Sequence, residues 1–374
     1  MKYIHLIILA VLLAACGGGK NTSSSQAGGD TVAFKYATQI SVVKHNGYSI
    51  ATIKNPWKEG MTLHRYVLVP ADKEMPQHLP SGIVVRTPLK QAVMFTTVHC
   101  AMLMEFGKQD CISGVADLKY IKIPWIQQQV AQGHITDVGD GMSPVIEKII
   151  DEHPDALFLS PFENSGGYGK LEDLNIPIIE CADYMETSPL ARAEWLRFYG
   201  MLFGCEQRAD SLFQAVDKNY HHLKDLAAKA QTSPSVLLDK VTGSVWYVPA
   251  GKSTIGQMIK DANAQYPWAD DEHSGSISLP FETVLERAGE SDIWLFRYSS
   301  NHDITFGELA SEHHGYNQFK AYNHKEVYGC DVERSPFYEE SPFHPERLLN
   351  DFIQIFHPGI QGLAPLRYYK KVNR

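Results

Sequence analysis

What this sequence withholds narrows its chemistry first. After the opening residues no stretch stays apolar for the roughly 20 residues that a membrane-crossing helix requires, so the folded body is expected in water. Cysteine is scarce, with six in 374 residues. Those beyond Cys16 are Cys100, Cys111, Cys181, Cys205 and Cys330; they form no CxxC pair, which argues against a zinc or redox centre. Their odd number leaves at least one unpaired in an exported chain, and spacing assigns no partners. Basic runs are missing as well: 34 Lys and Arg are scattered among 43 Asp and Glu, for a formal charge of -9, which sets nucleic acid aside as a partner. HExxH and GxSxG do not occur, and PAGKST at 249–254 fails as a phosphate loop because the first glycine of GxxxxGK would fall on Trp246. His221-His222 and His313-His314 are adjacent, so on a helix their rings diverge and supply no metal-ligand pair.

What remains is ordinary globular composition, 44% hydrophobic and 21% charged, with enough chain for two domains with real cores. The beginning is a separate object. Lys2 precedes an apolar run from Ile4 to Ala15, and small residues lead into Cys16 in LLAAC. This resembles a bacterial lipoprotein signal peptide. The resemblance implies loss of residues 1–15, acylation of Cys16, and a lipid anchor at the cell envelope with the body facing the periplasm. Within 16–31, GGGKNTSSSQAGGD has no apolar residue larger than alanine and reads as a flexible tether.

Residues 32–81 read as a small N-terminal β appendage, because FKYATQISVVKHNGYSIATIKNPW carries two strand-like runs around Asn46-Gly47, a dipeptide suited to a tight hairpin. From Gly82 the pattern changes. Short apolar runs (AVMFTT, CISGVA, DALFLS, IPIIEC) alternate with helix-like segments such as CAMLMEFG and MSPVIEKIIDEH, the pattern of a mainly parallel sheet covered on both faces. A second series runs through SVLLDK, DIWLF and EVYGC to the helical HPERLLNDFIQIFH. Between the two, Ser188-Pro189 is a helix-starting pair, and Gly204 interrupts the helix that follows. From Glu206 to Gln231, Leu212, Phe213, Val216, Tyr220, Leu223 and Ala227 recur at steps of three and four. A helix of that length spans about 38 Å. The expectation is an α/β fold of two lobes, 82–187 and 233–374, each a mainly parallel sheet flanked by helices. One long helix within 188–232 joins them. A helix, a leading glutamate and a strand occur twice, in VIEKIIDEHPDALFLSP from Val145 and FETVLERAGESDIWLF from Phe281, once in each lobe.

Several segments in this order resemble the substrate-binding lipoproteins of ABC importers for iron chelates, haem and cobalamin. They are TTVHCAMLMEFGKQDCISGVA, Glu147 with HPDALFL, LNIPIIE, TSPLARAEWLRFYGMLFG, VWYVPAGKS, and Glu282 with SDIWLF, spread over residues 82–358. The resemblance implies a receptor without catalysis or a cofactor of its own, whose ligand carries iron or cobalt. Its partner is an ABC permease dimer with its ATPase, and Glu147 and Glu282 match the glutamates with which the family meets permease arginines. Both would also sit in first helical turns, where the helix dipole favours a carboxylate and a bidentate guanidinium contact is available. Competing expectations are a surface lipoprotein holding the ligand for an outer-membrane receptor, and a metal-dependent enzyme on the same frame.

In open parallel sheets a ligand lies beyond the carboxyl ends of the strands, and two lobes facing each other across the linking helix are expected to aim those ends into one cleft between them. The candidates are therefore the residues that follow the runs: His99 after VMFTT, Phe162 after DALFLSP, Trp246 and Tyr247 after VLLDK, and Arg297 and Tyr298 after DIWLF. Trp125 and Trp268 lie in loops within reach of the same rim. Aromatic faces suit a flat macrocycle or catecholate, and an arginine beside them suits an anionic chelate. His99 is a candidate axial ligand to haem iron, although a histidine beside a helix start also serves in capping.

Overall fold

The computed structural model describes residues 29–163 and 167–373. The signal peptide, most of the tether and Cys16 lie outside these residues. The first unit is a five-stranded sheet in the order β1 (Asp30–Val32), β2 (Ile40–His45), β3 (Tyr48–Lys54), β4 (Thr62–Pro70) and β5 (Ile83–Thr87). Asn46-Gly47 makes the expected two-residue hairpin, with His45 paired to Tyr48 and Gly47 at φ +88°. Two features go beyond the sequence reading. β5 pairs parallel to β4 and so extends the sheet past residue 81. The small N-terminal sheet is also packed onto the first lobe, because Val42, Ile53, Tyr66 and Val85 share one core with Met94, Phe158, Ile179 and Trp195. The Tyr66 hydroxyl stitches that seam, donating to Ile178 O and accepting from Glu180 N, both at 2.9 Å.

The first lobe is a six-stranded sheet built from β6 (Ala92–Met94), β7 (Ile112–Ala116), β8 (Thr136–Asp140), β9 (Ser143–Pro144), β10 (Ala156–Leu159) and β11 (Ile178–Glu180). Its order is β11-β10-β6-β7-β8-β9, parallel except for the β8–β9 hairpin. The runs AVM, ALFL and IIE are wholly buried, as strands covered on both faces must be. Helices α1 (Thr97–Phe106), α2 (Pro124–Ala131) and α3 (Ile146–Asp151) connect them.

The link comprises α4 (Pro189–Glu194), α5 (Leu196–Leu202) and α6 (Glu206–Ala227). Ser188 caps α4, accepting from Ala191 N. At 1.5 Å per residue the 22 residues of α6 span about 33 Å. Ala209, near its start, packs into the first-lobe core, whereas Phe213, Val216, Tyr220 and Ala227 pack into the second.

The second lobe divides its strands between two sheets, where the sequence suggested one parallel series. β12 (Val236–Leu238), β13 (Val241–Thr242), β14 (Val245–Pro249), β15 (Ser276–Leu279), β16 (Ile293–Tyr298), β17 (Val327–Asp331) and β18 (Tyr369–Lys371) form the orders β12-β16-β17-β18 and β13-β14-β15. The first of these is parallel up to its last strand; the second is antiparallel. Around them lie α7 (Thr254–Asp261), α8 (Phe281–Ala288), α9 (Phe306–Glu312), α10 (Lys320–His324), α11 (Phe337–Glu340) and α12 (Pro345–Phe356).

A second tie between the lobes was invisible in the sequence. Phe343 leaves the second lobe and packs its ring edge-on against both His99 and Tyr199, with centroids 5.9 Å from each. Around it Thr97 donates to Glu339 at 3.1 Å, Lys122 pairs with Glu333 at 2.7 Å, and buried His344 bridges Glu105 and Glu346. Burial pushes the His344 pKa down, but the hydrogen bonds to Glu105 and Glu346 outweigh it and raise it to about 9 from 6.5. Stability from this bridge is complete below pH 6.5 and is lost as pH rises through about 9. Urea unfolding should therefore show a fall in stability of about 1–3 kcal/mol across that interval. His344→Gln should flatten it, and an equally steep fall in the variant would count against the bridge.

Candidate functional site

Parallel strands end on one side of a sheet, so the residues after them meet. Phe95 and Thr96 follow β6, Asp117 follows β7, and Ser160 and Phe162 follow β10; with Met142 of the β8–β9 turn they line a cavity of about 810 Å3. Glu147 and Tyr168 border it. A smaller cavity of about 320 Å3 shares Thr96, Ser160 and Phe162, and adds Tyr184 and Arg192 above His99 and Asp183.

The floor of the smaller cavity is a buried polar network. Asp183, 1% exposed, accepts the Tyr199 hydroxyl at 2.8 Å and Arg192 Nε at 3.0 Å, and faces His99 Nε2 at 3.2 Å. The other His99 nitrogen meets Thr96 Oγ1. Burial drives the Asp183 carboxyl up, but the His99 hydrogen bond, the Arg192 guanidinium and the Tyr199 hydroxyl together bring it down to about 2. Arg192 is thereby held at Nε. Among the described residues its terminal nitrogens have no partner and border the cavity, a fork suited to a carboxylate, hydroxamate or phosphate.

Of the ligand contacts expected from sequence, Phe162 lines both cavities and is 46% exposed. His99 lies at the base of the smaller cavity, 2% exposed, with one ring nitrogen at Thr96 and the other at Asp183 and Tyr199. Trp246 is wholly buried: its Nε1 donates to Leu238 O at 2.9 Å, and Trp294 and Phe319 pack on it. Its strand belongs to the antiparallel sheet, so it does not follow a parallel strand tip. Trp268 is buried against Tyr266, with the Arg287 guanidinium over its ring at 5.6 Å. Trp125, half-buried on α2, packs against the first-lobe core. Arg297 is spent on a bidentate pair with Asp239 at 2.9 and 2.7 Å, and Tyr298 accepts from Ile304 N with its hydroxyl. Tyr247 is exposed on β14. The structure brings only Phe162 and His99 of this set together; Arg192 and Tyr184, which sequence reasoning passed over, complete the group. Arg192 lay inside the quoted TSPLARAEW, but its buried partner Asp183 belongs to the preceding segment and gave no periodic signal.

Glu147 and Glu282 are exposed and occupy the second position of α3 and α8. Each helix follows the last strand of an antiparallel pair, β8–β9 in one lobe and β14–β15 in the other, and neither N-terminus carries a side-chain cap. The repeated unit is thus repeated in local geometry.

The family described as periplasmic binding protein matches residues 102–333, more than half the chain. The chain belongs to that family. Over 367 aligned residues it is 26% identical to an uncharacterized lipoprotein of Methanocaldococcus jannaschii, covering 92% of this chain and 86% of the relative. It also resembles two crystal structures at 16% identity. One is a periplasmic heme binding protein from Pseudomonas aeruginosa, at TM-score 0.60 over 76% of this chain and 99% of that one. The other is an ABC-type Fe3+-hydroxamate transport system from Saccharomonospora viridis, at TM-score 0.58 over 74% and 96%. These likenesses establish the two-lobed fold of this periplasmic binding protein.

Because Asp183 ionises more readily folded than unfolded, its contribution is present above pH 3.8 and lost as pH falls through about 2. Asp183→Asn should lower stability at neutral pH by about 3 kcal/mol, since it leaves Arg192 without its partner. Denaturant unfolding at neutral pH and at pH 3 should show the deficit shrinking on acidification. A deficit independent of pH would mean that the charge of Asp183 is not what matters.

Proposed function

We propose that this periplasmic binding protein is a lipid-anchored receptor that captures a metal chelate, an iron-siderophore, haem or cobalamin, and delivers it to an ABC permease. The observation that carries the reading is the strand-tip cavity itself. Its volume of about 810 Å3 falls in the range of small-molecule sites; Phe162 is shared with the smaller cavity, which adds Tyr184 and Arg192. An aromatic wall beside a guanidinium that is anchored at Nε is suited to a large ligand with peripheral carboxylates. The names of similar structures, a heme binding protein and a Fe3+-hydroxamate transport system, point to the same ligand class. Lipid attachment at Cys16 agrees with the relative's description as a lipoprotein. The reading gives the chain no reaction of its own, in keeping with a family of binding proteins.

Titration of the purified protein with haem, cobalamin and ferric hydroxamates, followed in the visible spectrum, identifies the ligand. For the one that binds, Arg192→Ala should weaken affinity at least about tenfold, or ~1.4 kcal/mol, and affinity that is unchanged would remove the arginine from the site.

The matched glutamates favour a two-fold partner over a stand-alone surface receptor, because two separated carboxylates fix orientation as well as attract. Reversing both, Glu147→Arg with Glu282→Arg, should abolish uptake by cells, and Glu282→Arg alone, at a carboxylate that borders neither strand-tip cavity, should lower uptake while leaving ligand affinity intact. Uptake that survives the double reversal would favour the stand-alone reading.

A further inference from the structure

The chain that leaves β17 bridges the lobes. From Glu333 to His344 it runs against the first lobe, where Glu333 meets Lys122, Glu339 meets Thr97, Phe343 meets His99 and Tyr199, and His344 meets Glu105. Its root is fixed in the second lobe. Phe337 packs on Tyr368 with centroids 5.6 Å apart, the Arg297 guanidinium lies 5.7 Å over the Phe337 ring, and Glu340 is held by Arg367 and, at 3.1 Å, by Arg347. Phe343, at the far end of this strap, is 2% exposed. The tip is therefore packed into the first lobe while its base belongs to the second.

The two rings that the tip touches share one task. Tyr199 donates its hydroxyl to Asp183 Oδ1 at 2.8 Å, and His99 Nε2 lies 3.2 Å from the same oxygen. The other oxygen, Oδ2, accepts from Arg192 Nε at 3.0 Å. A carboxylate is planar, so whatever turns it through Oδ1 also swings Oδ2, and with it the guanidinium that borders the smaller cavity. His99, Tyr199 and Asp183 are almost wholly buried, and close-packed groups have few alternative arrangements until a neighbour is removed. We propose that Phe343 is a positioning residue for ligand capture: from the second lobe it sets the His99 and Tyr199 rings, the rings set Asp183, and Asp183 aims Arg192. Seating of the strap and occupation of the cavity are then coupled. Coupling is reciprocal, so a ligand carboxylate on Arg192 also steadies the strap. The proposal rests on the reading of Arg192 as a ligand contact, but the aim of the guanidinium is testable without a ligand.

The first test uses the free protein. In 15N-arginine NMR the Arg192 Nε–H, identified by its loss in Arg192→Lys, should exchange slowly with water while Asp183 accepts it. Phe343→Ala should speed that exchange at least about threefold, and Phe343→Leu, which refills much of the space, should stay close to the parent. The Arg297 Nε–H, bonded to Asp239 at 2.9 Å, should be unaffected in both variants. Equal rates at Arg192 in the parent and Phe343→Ala, or an equal acceleration at Arg297, would overturn the proposal. The second test uses haem, whose carboxylates can meet a guanidinium. Phe343→Ala should weaken haem about tenfold in the parent and leave affinity unchanged in the Arg192→Ala background, because the effect passes through the arginine. The same loss in both backgrounds would reduce Phe343 to a packing residue and sink the idea. Where the parent binds no haem, the exchange measurement decides on Phe343 by itself; failure of haem, cobalamin and ferric hydroxamates together would bring down the chelate reading instead.

Discussion

Carboxylates without water hold this molecule together at the point where its parts meet. Glu186, just before α4, and Glu194, at the end of α4, are both almost wholly buried. Glu194 accepts the backbone N–H groups of Lys35, Tyr36 and Ala37 at 2.7–2.8 Å, and Glu186 accepts those of Thr38 and Gln39 together with Trp195 Nε1. A buried carboxylate survives only if its lone pairs are filled, and here one short strand of backbone fills two of them. The same contacts satisfy N–H groups of a segment between β1 and β2 that has no ladder partner, so sheet, lobe and link become one body. Asp183, a few residues earlier, applies the device to a side chain and thereby aims Arg192 at the strand tips.

The second lobe uses the device once more. Asp351 on α12, wholly buried, accepts from the backbone of Arg367, Tyr368 and Tyr369 and so fastens the chain end that becomes β18. Burial pushes its carboxyl up against those hydrogen bonds. Together with α6 and Phe343, these ties leave the lobes joined at two places. A frame of this kind favours small rocking of the lobes over wide closure.

Much of the frame was legible because it rests on local pattern. The Asn46-Gly47 hairpin, the buried runs β6, β7, β10 and β11, the Ser188 cap and the apolar stripe of α6 each follow from turn chemistry or periodicity within a few residues. The site was legible only in its location. Trp246 and Trp268 have the same composition and flanks as ligand-facing aromatics, and nothing local distinguishes a tryptophan that packs on Trp294 or Tyr266 from one that faces a cleft. Arg297 and Arg192 are equally opaque in one dimension: the first is consumed by Asp239, the second is half-anchored by Asp183 and keeps its fork.

The sequence by itself therefore determined the elements, their alternation and the twin placement of Glu147 and Glu282, because those depend on backbone preference and on neighbours three or four positions away. Tertiary structure alone decided that the N-terminal sheet shares the first lobe's core, that the second lobe splits into two sheets, and which aromatic and cationic side chains remain free. Those outcomes depend on which distant groups meet in a dry interior, where a carboxylate or indole must find a partner wherever the chain happens to supply one.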